Sequence, residues 1–325
     1  MKAAVLGDKG LEIRDIPVPK PRENEILVRV HAAGLNRAEA MMAQGYRHGS
    51  QGGPGTVIGL EFAGEVVETG AAVKDLRPGA RVMCSGNGGY AEFAVADAGR
   101  CSAIPANNMT FEQAATLPIG LQTLHDAIMT QGRMKKGDTV LIQAASAGVG
   151  VIGLQIARLM GAKLVIGTST KAEKRARLKD HGCDLALDTK DPRWPDQVLE
   201  ATDGKGVDLI VDLVSAGVMN DNMKATRVLG RIVNIGRLGG MKGEFDFDLH
   251  ALRRIDYIGA TFRTRSVEEV HEIVRRMRAD LWPHVEAGRI SVPIDKVFPL
   301  EEAAAAQAHM RANAHFGKIV LRVEH

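Results

Sequence analysis

The stretch at residues 139–150 constrains the fold of this chain more than any other feature. Its sequence, Thr139-Val-Leu-Ile-Gln-Ala-Ala-Ser-Ala-Gly-Val-Gly150, joins a short apolar run to a cluster of very small residues. An apolar segment with helical spacing follows, from Val151 to Leu159. A strand that turns tightly into a helix exposes backbone N–H groups at the helix N-terminus, where they can hold a pyrophosphate. The stretch therefore predicts the strand–turn–helix unit of a dinucleotide site.

The glycine pattern of such a turn is only partly present. Its three usual glycine positions fall on Ala145, Ala147 and Gly150. Alanine still permits close approach, but it gives up the easy access to positive φ that glycine has. The alternative is that these small residues serve only helix packing. The interpretation as a binding turn predicts five cofactor contacts: Ala145, Ser146, Gly148, Val149 and Gly150.

A second apolar run, 164–167, supports the binding interpretation and indicates which dinucleotide is bound. NAD sites usually carry Asp or Glu about 20 residues after the glycine motif, where it holds the ribose 2′-hydroxyl. Here Thr168 and Ser169 follow the run, and Lys174 comes shortly after. Hydroxyls and a cation suit a 2′-phosphate, so the sequence favours NADPH over NADH. Alternatively, Thr170 and Glu173 form a capping box and the lysines are solvated.

Length and composition exclude several classes of protein. A chain of 325 residues with 45% hydrophobic and 25% charged residues suits two globular domains. The net charge of +3 is spread along the sequence, so no nucleic-acid partner is expected. No apolar run is long enough to cross a membrane. Three widely spaced cysteines fit a reducing compartment, and we expect a cytoplasmic protein.

The order of apolar runs predicts an α/β fold with two domains. Residues 1–122 contain short β-type runs separated by Gly and Pro, and 264–325 are expected to pack back on them. Residues 123–263 alternate between strands and helices, which is typical of a doubly wound parallel sheet. Ser266 and Glu269 form a capping-box pattern at the start of a long amphipathic helix. The predicted parallel strands are 139–143, 163–167, 184–187, 207–212, 231–235 and 256–261.

The chain resembles the zinc-independent quinone oxidoreductases, similar to zeta-crystallin, of the medium-chain dehydrogenase/reductase superfamily. The resemblance runs nearly end to end and rests on motifs in a fixed order. It implies a mainly-β GroES-like catalytic domain at 1–122 and 264–325, and a Rossmann NADPH-binding domain at 123–263. Besides the alanine-rich turn, the motifs are Gly34-Leu-Asn-Arg-Ala-Glu39, Gly59-Leu-Glu-Phe-Ala-Gly64, Gly89-Tyr-Ala-Glu-Phe93, Gly204-Lys-Gly-Val-Asp208, Gly230-Arg-Ile-Val-Asn-Ile-Gly236 and Phe316-Gly-Lys-Ile-Val-Leu321.

The same resemblance argues against zinc. Where zinc alcohol dehydrogenases of the superfamily have a Cys ligand, this chain has Asn36, and where they have a His ligand it has Leu60. The four-cysteine lobe of a structural zinc is also missing. Without a Lewis acid, ordinary alcohol oxidation loses its main stabilisation. The expectation is hydride transfer without a metal.

The resemblance also implies roles for single residues. Asn36 corresponds to a residue at the nicotinamide and substrate, and Tyr46 is the candidate acid or donor. Tyr46 alternatively packs against the glycine-rich segment 49–55. Thr123 corresponds to a residue beside the nicotinamide carboxamide. The remaining expected cofactor contacts come from the matching motifs: Gly236, Phe316 and Lys318.

Three functions fit these residues. The first is an NADPH-dependent quinone reductase, and the second reduces 2-alkenals, enones or enoyl thioesters on the same scaffold. The third is a structural or regulatory protein that binds NADPH without turnover. The apolar strand expected at 257–262 lies at a sheet edge and is too apolar to stay exposed. Relatives pair this edge across a two-fold axis, so a homodimer is expected.

Overall fold

The computed structural model describes residues 1–8, 10–47, 49 and 51–325. Ser50, which belongs to the glycine-rich segment 49–55 discussed above, lies outside the described residues, as do Lys9 and His48. The chain divides into two compact units. The first unit comprises 1–119 and 262–325, and the second comprises 120–261.

The secondary structure follows the alternation of apolar runs and turns. In chain order the strands are β1 Lys2–Gly7, β2 Gly10–Asp15, β3 Glu25–Gly34, β4 Glu61–Thr69, β5 Arg81–Ser85, β6 Phe93–Asp97, β7 Cys101–Ala103, β8 Thr139–Ile142, β9 Leu164–Thr168, β10 Leu185–Leu187, β11 Val207–Asp212, β12 Thr226–Asn234, β13 Asp256–Gly259, β14 Ile294–Pro299 and β15 Lys318–Arg322. The α-helices are α1 Arg37–Met42, α2 Phe111–Ala114, α3 Pro118–His125, α4 Gly148–Leu159, α5 Ala172–Leu178, α6 Trp194–Ala201, α7 Met219–Ala225, α8 Phe247–Arg253, α9 Val267–Glu286 and α10 Ala303–Arg311.

The first unit is built on a mainly antiparallel sheet with the order β14-β15-β3-β4-β5-β7. The C-terminal strand β15 pairs with β3 through Val320 opposite Gly34. This pairing brings the end of the chain beside the Gly34-Leu-Asn36 motif. The core contains buried side chains from both ends of the sequence, among them Val30, Phe62 and Leu321.

Helix α9 confirms the capping-box prediction at its start. The Ser266 side chain accepts a hydrogen bond from the Glu269 backbone N–H, and the Glu269 carboxylate accepts one from the Ser266 N–H. The predicted apolar face of α9 is buried, including Val270, Ile273 and Met277. Within the described part of the chain, no helix combines the length and hydropathy that a membrane crossing requires.

The second unit is a parallel sheet with the order β10-β9-β8-β11-β12-β13. This is the strand order of a doubly wound dinucleotide-binding fold. The predicted α/β class and its Rossmann sheet are confirmed. The strands are apolar because helices cover both faces, and Ile142, Ile166 and Ile210 are fully buried.

Two of the predicted strand bounds differ from the structure by more than one residue. β12 begins at Thr226, five residues before the predicted 231, because Thr226 already pairs with Val207 of β11. β13 ends at Gly259 rather than at 261, where its pairing with Asn234 stops. The alternative capping box of Thr170 and Glu173 is wrong, since α5 begins at Ala172 with Lys171 as its N-cap.

Candidate functional site

Asn36 lies in the short link between β3 and α1, two residues after Gly34. It is the N-cap of α1, and its backbone N–H donates to the Glu39 carboxylate at 2.7 Å. The side-chain amide Nδ2 donates to Glu61 Oε1 at 2.9 Å. The second contact of Nδ2, to the Gly34 carbonyl, is long at 3.5 Å. The backbone of Asn36 and one of its two amide hydrogens are therefore held by these short contacts.

Lys318 and Glu61 form a buried ion pair beside Asn36. The Lys318 ammonium donates to Glu61 Oε1, to Asn36 Oδ1 at 2.8 Å and to the Leu35 carbonyl at 3.0 Å. The side chains of Lys318 and Glu61 are 4% and 0% exposed. The other Glu61 oxygen accepts the Ile119 backbone N–H at 2.9 Å. The structure thus brings two predicted site residues, Asn36 and Lys318, into direct contact. All three hydrogen bonds of the Lys318 ammonium go to residues of the first unit.

A second buried carboxylate, Glu39, lies on the other side of Asn36. One oxygen accepts the Tyr90 hydroxyl, and the other accepts the Leu60 backbone N–H at 2.7 Å. Burial raises the pKa of Glu39 to about 7, against the lowering effect of the Tyr90 and backbone hydrogen bonds. Burial also raises the pKa of Tyr90, well above its usual value. Leu60 thus donates its backbone N–H to the cluster, and its side chain is buried in the core of the first unit.

Tyr46 follows α1 and differs from Asn36 in its surroundings. Its side chain is 55% exposed. Its backbone N–H donates to the Met41 carbonyl at 3.1 Å. Among the described residues, none forms a hydrogen bond with its hydroxyl. The donor role of Tyr46 stays a prediction.

The alanine-rich turn between β8 and α4 combines a residue at positive φ with a close approach of two backbone segments. The residue that adopts positive φ is Ala144, at 50°, and not one of the three motif positions. Ala147 is the N-cap of α4, and no side chain of the described residues caps this helix. A Cβ on Gly150 would lie 2.7 Å from the Ala144 carbonyl oxygen, so glycine is required there. The uncapped N–H groups of a 12-residue helix suit an anionic group.

The three residues predicted to bind the 2′-phosphate differ in their hydrogen bonds and burial. The Thr168 hydroxyl donates its only hydrogen to Gln143 Oε1 at 2.6 Å and accepts from the Ala144 N–H at 3.0 Å. The structure therefore assigns this hydroxyl to the fold rather than to a phosphate. Ser169 Oγ lies 3.0 Å from Ser146 Oγ, which brings two predicted contacts together. Lys174 is in the first turn of α5 and is 9% exposed.

Three further predicted cofactor contacts lie outside the alanine-rich turn and the end of β9. Thr123 is partly exposed on α3. Gly236 follows β12, and a Cβ there would meet the Leu213 carbonyl oxygen at 2.6 Å. Phe316 is buried in the first unit, and its N–H donates to Asp295 Oδ1 at 3.1 Å. Their contacts with a cofactor stay predictions.

Sequence reasoning missed three side chains. Glu39 and Tyr90 complete the buried polar cluster of the first unit. In the second unit, Arg175 bridges the Ser169 carbonyl at 2.8 Å and the Asp188 carboxylate at 2.9 Å. The available signals were the Asn36-x-x-Glu39 spacing of a capping box and the cation directly after Lys174.

Comparisons with known proteins agree with both units. The alcohol dehydrogenase GroES-like domain matches residues 22–106, and the zinc-binding dehydrogenase family matches 148–279. A probable quinone oxidoreductase of Leishmania amazonensis is 30% identical over 93% of this chain and 90% of its own. The quinone oxidoreductase of Rattus norvegicus is 29% identical over 94% and 92%. A mycocerosic acid synthase-like polyketide synthase of Mycobacterium tuberculosis is 30% identical over 94% of this chain, which spans 14% of that protein.

Solved structures of dehydrogenase-type proteins are similar to nearly the whole chain. An NAD-dependent alcohol dehydrogenase is 30% identical with a TM-score of 0.87 and full coverage of both chains. A mycobacterial protein complexed with NADPH is 28% identical with a TM-score of 0.87, over 99% of both chains. The chain belongs to the medium-chain dehydrogenase/reductase family and is an enzyme of the quinone oxidoreductase type.

Proposed function

We propose that this enzyme uses NADPH to reduce a quinone, without zinc. The observation that carries the proposal is the polar cluster around Asn36. At the positions where zinc relatives hold the metal, the chain places an amide and a leucine, and a buried ammonium neutralises the nearby carboxylate. Among the described residues, no group of three or more His, Cys, Asp and Glu side chains could hold a metal. Relatives named quinone oxidoreductase support the substrate class.

The chemistry assigns Asn36 a donor role. When bound, NADPH supplies a hydride, and negative charge then develops on the carbonyl oxygen of the substrate. The second N–H of the Asn36 amide would donate to this oxygen, because its one acceptor among the described residues is the Gly34 carbonyl at 3.5 Å. A preorganised donor aimed at a developing charge is among the strongest catalytic effects available to an enzyme. Tyr46 is the proposed source of the proton that the product oxygen needs.

The second unit fits NADPH by its donor chemistry. The uncapped N-terminus of α4 would hold the pyrophosphate, with Ser146 beside it. At the end of β9, Ser169 and Lys174 would hold the 2′-phosphate, where a carboxylate typical of NAD sites is missing from the sequence. Related structures include one complexed with NADPH and one named NAD-dependent. The preference for NADPH is thus a proposal that rests on this chain's own residues.

Reduction of an α,β-unsaturated thioester or ketone is the second candidate function. The polyketide synthase relative favours it, because nearly the whole of this chain matches one segment of that protein. Conjugate addition of hydride also places charge on a carbonyl oxygen, so the same Asn36 donor would serve. The two candidate functions differ in the substrate and not in the cofactor.

The test is NADPH oxidation by metal-chelated enzyme against a panel of quinones, enones and enoyl thioesters. We expect rapid turnover with quinones, full retention of activity after exhaustive chelation, and well under one zinc per chain by elemental analysis. A stoichiometric zinc whose removal abolishes activity would overturn the zinc-free proposal. Turnover of thioesters or enones with no turnover of quinones would select the second candidate function.

We also propose a homodimer formed through the edge strand β13. In the described sheet β13 pairs with β12 alone. Tyr257 on β13 is 43% exposed, and on the preceding helix α8 Phe247 is 78% exposed and Leu252 is 70% exposed. The rings of Phe247 and Tyr257 both contact Phe245, which places them on one surface. An unpaired edge flanked by apolar side chains favours pairing with a second copy across a two-fold axis.

Light scattering at micromolar concentration should give the mass of a dimer. Phe247→Glu combined with Leu252→Glu should shift the mass to that of a monomer, because charges replace the apolar surface that pairing would bury. Val18→Glu, an exposed apolar position of the first unit, is the matched control and should leave the dimer intact. A monomeric wild type would contradict the proposed assembly.

A further inference from the structure

The Lys318 ammonium is fully occupied inside the first unit. Its three hydrogens have three protein acceptors: the Leu35 carbonyl, Asn36 Oδ1 and Glu61 Oε1. With a side chain that is 4% exposed, it offers no hydrogen to a bound molecule. Burial of a charged ammonium costs free energy. Any effect of Lys318 on a bound molecule therefore passes through the residues that accept its hydrogen bonds.

The neighbour whose orientation Lys318 constrains is the Asn36 amide. An ammonium only donates hydrogen bonds, and a carboxylate only accepts them. Because Lys318 contacts one end of the amide and Glu61 contacts the other, only one orientation satisfies both partners. In that orientation Oδ1 faces Lys318 and Nδ2 faces Glu61. Rotation of the amide by 180° would place N–H against ammonium and oxygen against carboxylate.

We propose that Lys318 and Glu61 are positioning residues that lock the Asn36 amide with its second N–H turned toward the substrate oxygen. The inference rests on the proposed function, because it specifies how the donor of that reaction is held. A flipped amide would present its oxygen to the developing oxyanion and repel it. Gly34 permits this close packing, since a Cβ there would lie 2.3 Å from the Ala115 carbonyl oxygen and 2.8 Å from Glu61 Oε1.

A purely structural role for the pair makes a different prediction. Loss of one partner leaves an unpaired buried charge and destabilises the protein strongly, whereas loss of both charges is tolerated. If the pair serves stability alone, a variant without either charge recovers both folding and activity. If the pair orients Asn36, the same variant recovers folding but not activity, since a neutral glutamine accepts either amide orientation.

The experiment compares Lys318→Met with the double variant Lys318→Met, Glu61→Gln. We expect the single variant to lose thermal stability and the double variant to recover a melting temperature near that of the wild type. The kcat of the double variant should still be about 10- to 100-fold below that of the wild type. This range corresponds to an Asn36 donor that is correctly oriented for only part of the time. The Kd for NADPH, measured by fluorescence, should stay within about twofold. A double variant with wild-type kcat would overturn the proposal.

A matched control uses an exposed ion pair of the same strand. Arg322 of β15 pairs with Glu112 at 2.9 Å. Arg322→Met combined with Glu112→Gln should leave kcat unchanged. If the double variant at the buried pair does not fold, Lys318→Arg provides the readout. It keeps a donor-only cation and should recover at least about tenfold in kcat over Lys318→Met, whereas equal kcat values would contradict the proposal.

The outcomes separate this inference from the proposed function. A wild type that oxidises NADPH with none of the panel substrates overturns both. A wild type that is active, with a double variant of equal kcat, leaves the reductase function standing and removes the positioning role. Activity that falls together with the affinity for NADPH would assign the pair to cofactor binding and also overturn the proposal.

Discussion

Replacing Asn36 with alanine should lower kcat for quinone reduction by about 100- to 1000-fold, the range observed when one oxyanion donor is removed. The affinity for NADPH should change little, because the donor acts on charge that appears during the reaction. The Asn36 side chain also donates to Glu61 and accepts from Lys318, and leaving buried polar groups without a partner costs about 1–3 kcal/mol of stability. Thermal unfolding therefore has to accompany the steady-state kinetics.

Two further variants make the Asn36 result specific. Asn36→Asp keeps the shape but brings a third carboxylate beside Glu39 and Glu61 and removes the donor, so kcat should fall at least as far as in the alanine variant. Asn107→Ala removes an amide that donates to the Val285 and Glu286 carbonyls of the first unit, and it should leave kcat unchanged. A rise in KM with unchanged kcat would show uniform binding instead of transition-state stabilisation, and would contradict the donor role.

The Rossmann sheet was predictable because its physical signals are local. Parallel strands covered on both faces must be apolar along their length, and each of β8 to β11 appears in the sequence as such a run ended by small or polar residues. The ends of β12 and β13 were less predictable. Thr226 joins β12 through pairing with Val207, and a pairing partner cannot be identified from the residues of a single strand.

The polar cluster around Asn36 could be predicted only in part. The family motif gives Asn36 and Lys318, but their contact joins positions that are 282 residues apart. Glu61 joins Lys318 across 257 residues. Such contacts follow from the pairing of β15 with β3, which neither motif contains. A buried lysine and a cofactor-binding lysine look alike in a sequence, and only the acceptors around the ammonium tell them apart.

The two hydroxyls at the end of β9 were also predictable only in part. Thr168 and Ser169 are adjacent, and the sequence assigns both to a phosphate. In a strand, neighbouring side chains point to opposite faces. In the structure, Thr168 donates to Gln143, whereas Ser169 lies against Ser146 of the alanine-rich turn. Under the proposed preference for NADPH, recognition of the 2′-phosphate would therefore depend more heavily on Lys174.

Lys174→Ala should weaken NADPH binding by about 10- to 100-fold and leave NADH binding nearly unchanged. A charge-assisted contact with a phosphate contributes about 1.5–3 kcal/mol, and about 1.4 kcal/mol corresponds to a tenfold change in affinity. NADH has no phosphate at this position, so it loses nothing. The KM for NADPH should rise strongly, the KM for NADH should stay constant, and the preference between the two should collapse.

The position of Lys174 makes a control on the same helix necessary. Its side chain is buried, so its removal can also disturb the packing of α5. Lys179→Ala changes the same residue type at the exposed C-cap of α5 and should affect neither cofactor. Arg175, tied to Asp188 and to the Ser169 carbonyl, keeps a cation near the site in every variant, so the expected loss measures Lys174 alone. An equal loss of affinity for NADPH and NADH would mean that Lys174 supports the fold of the second unit and does not bind the 2′-phosphate. A wild type that uses NADH as well as NADPH would contradict the proposed preference directly.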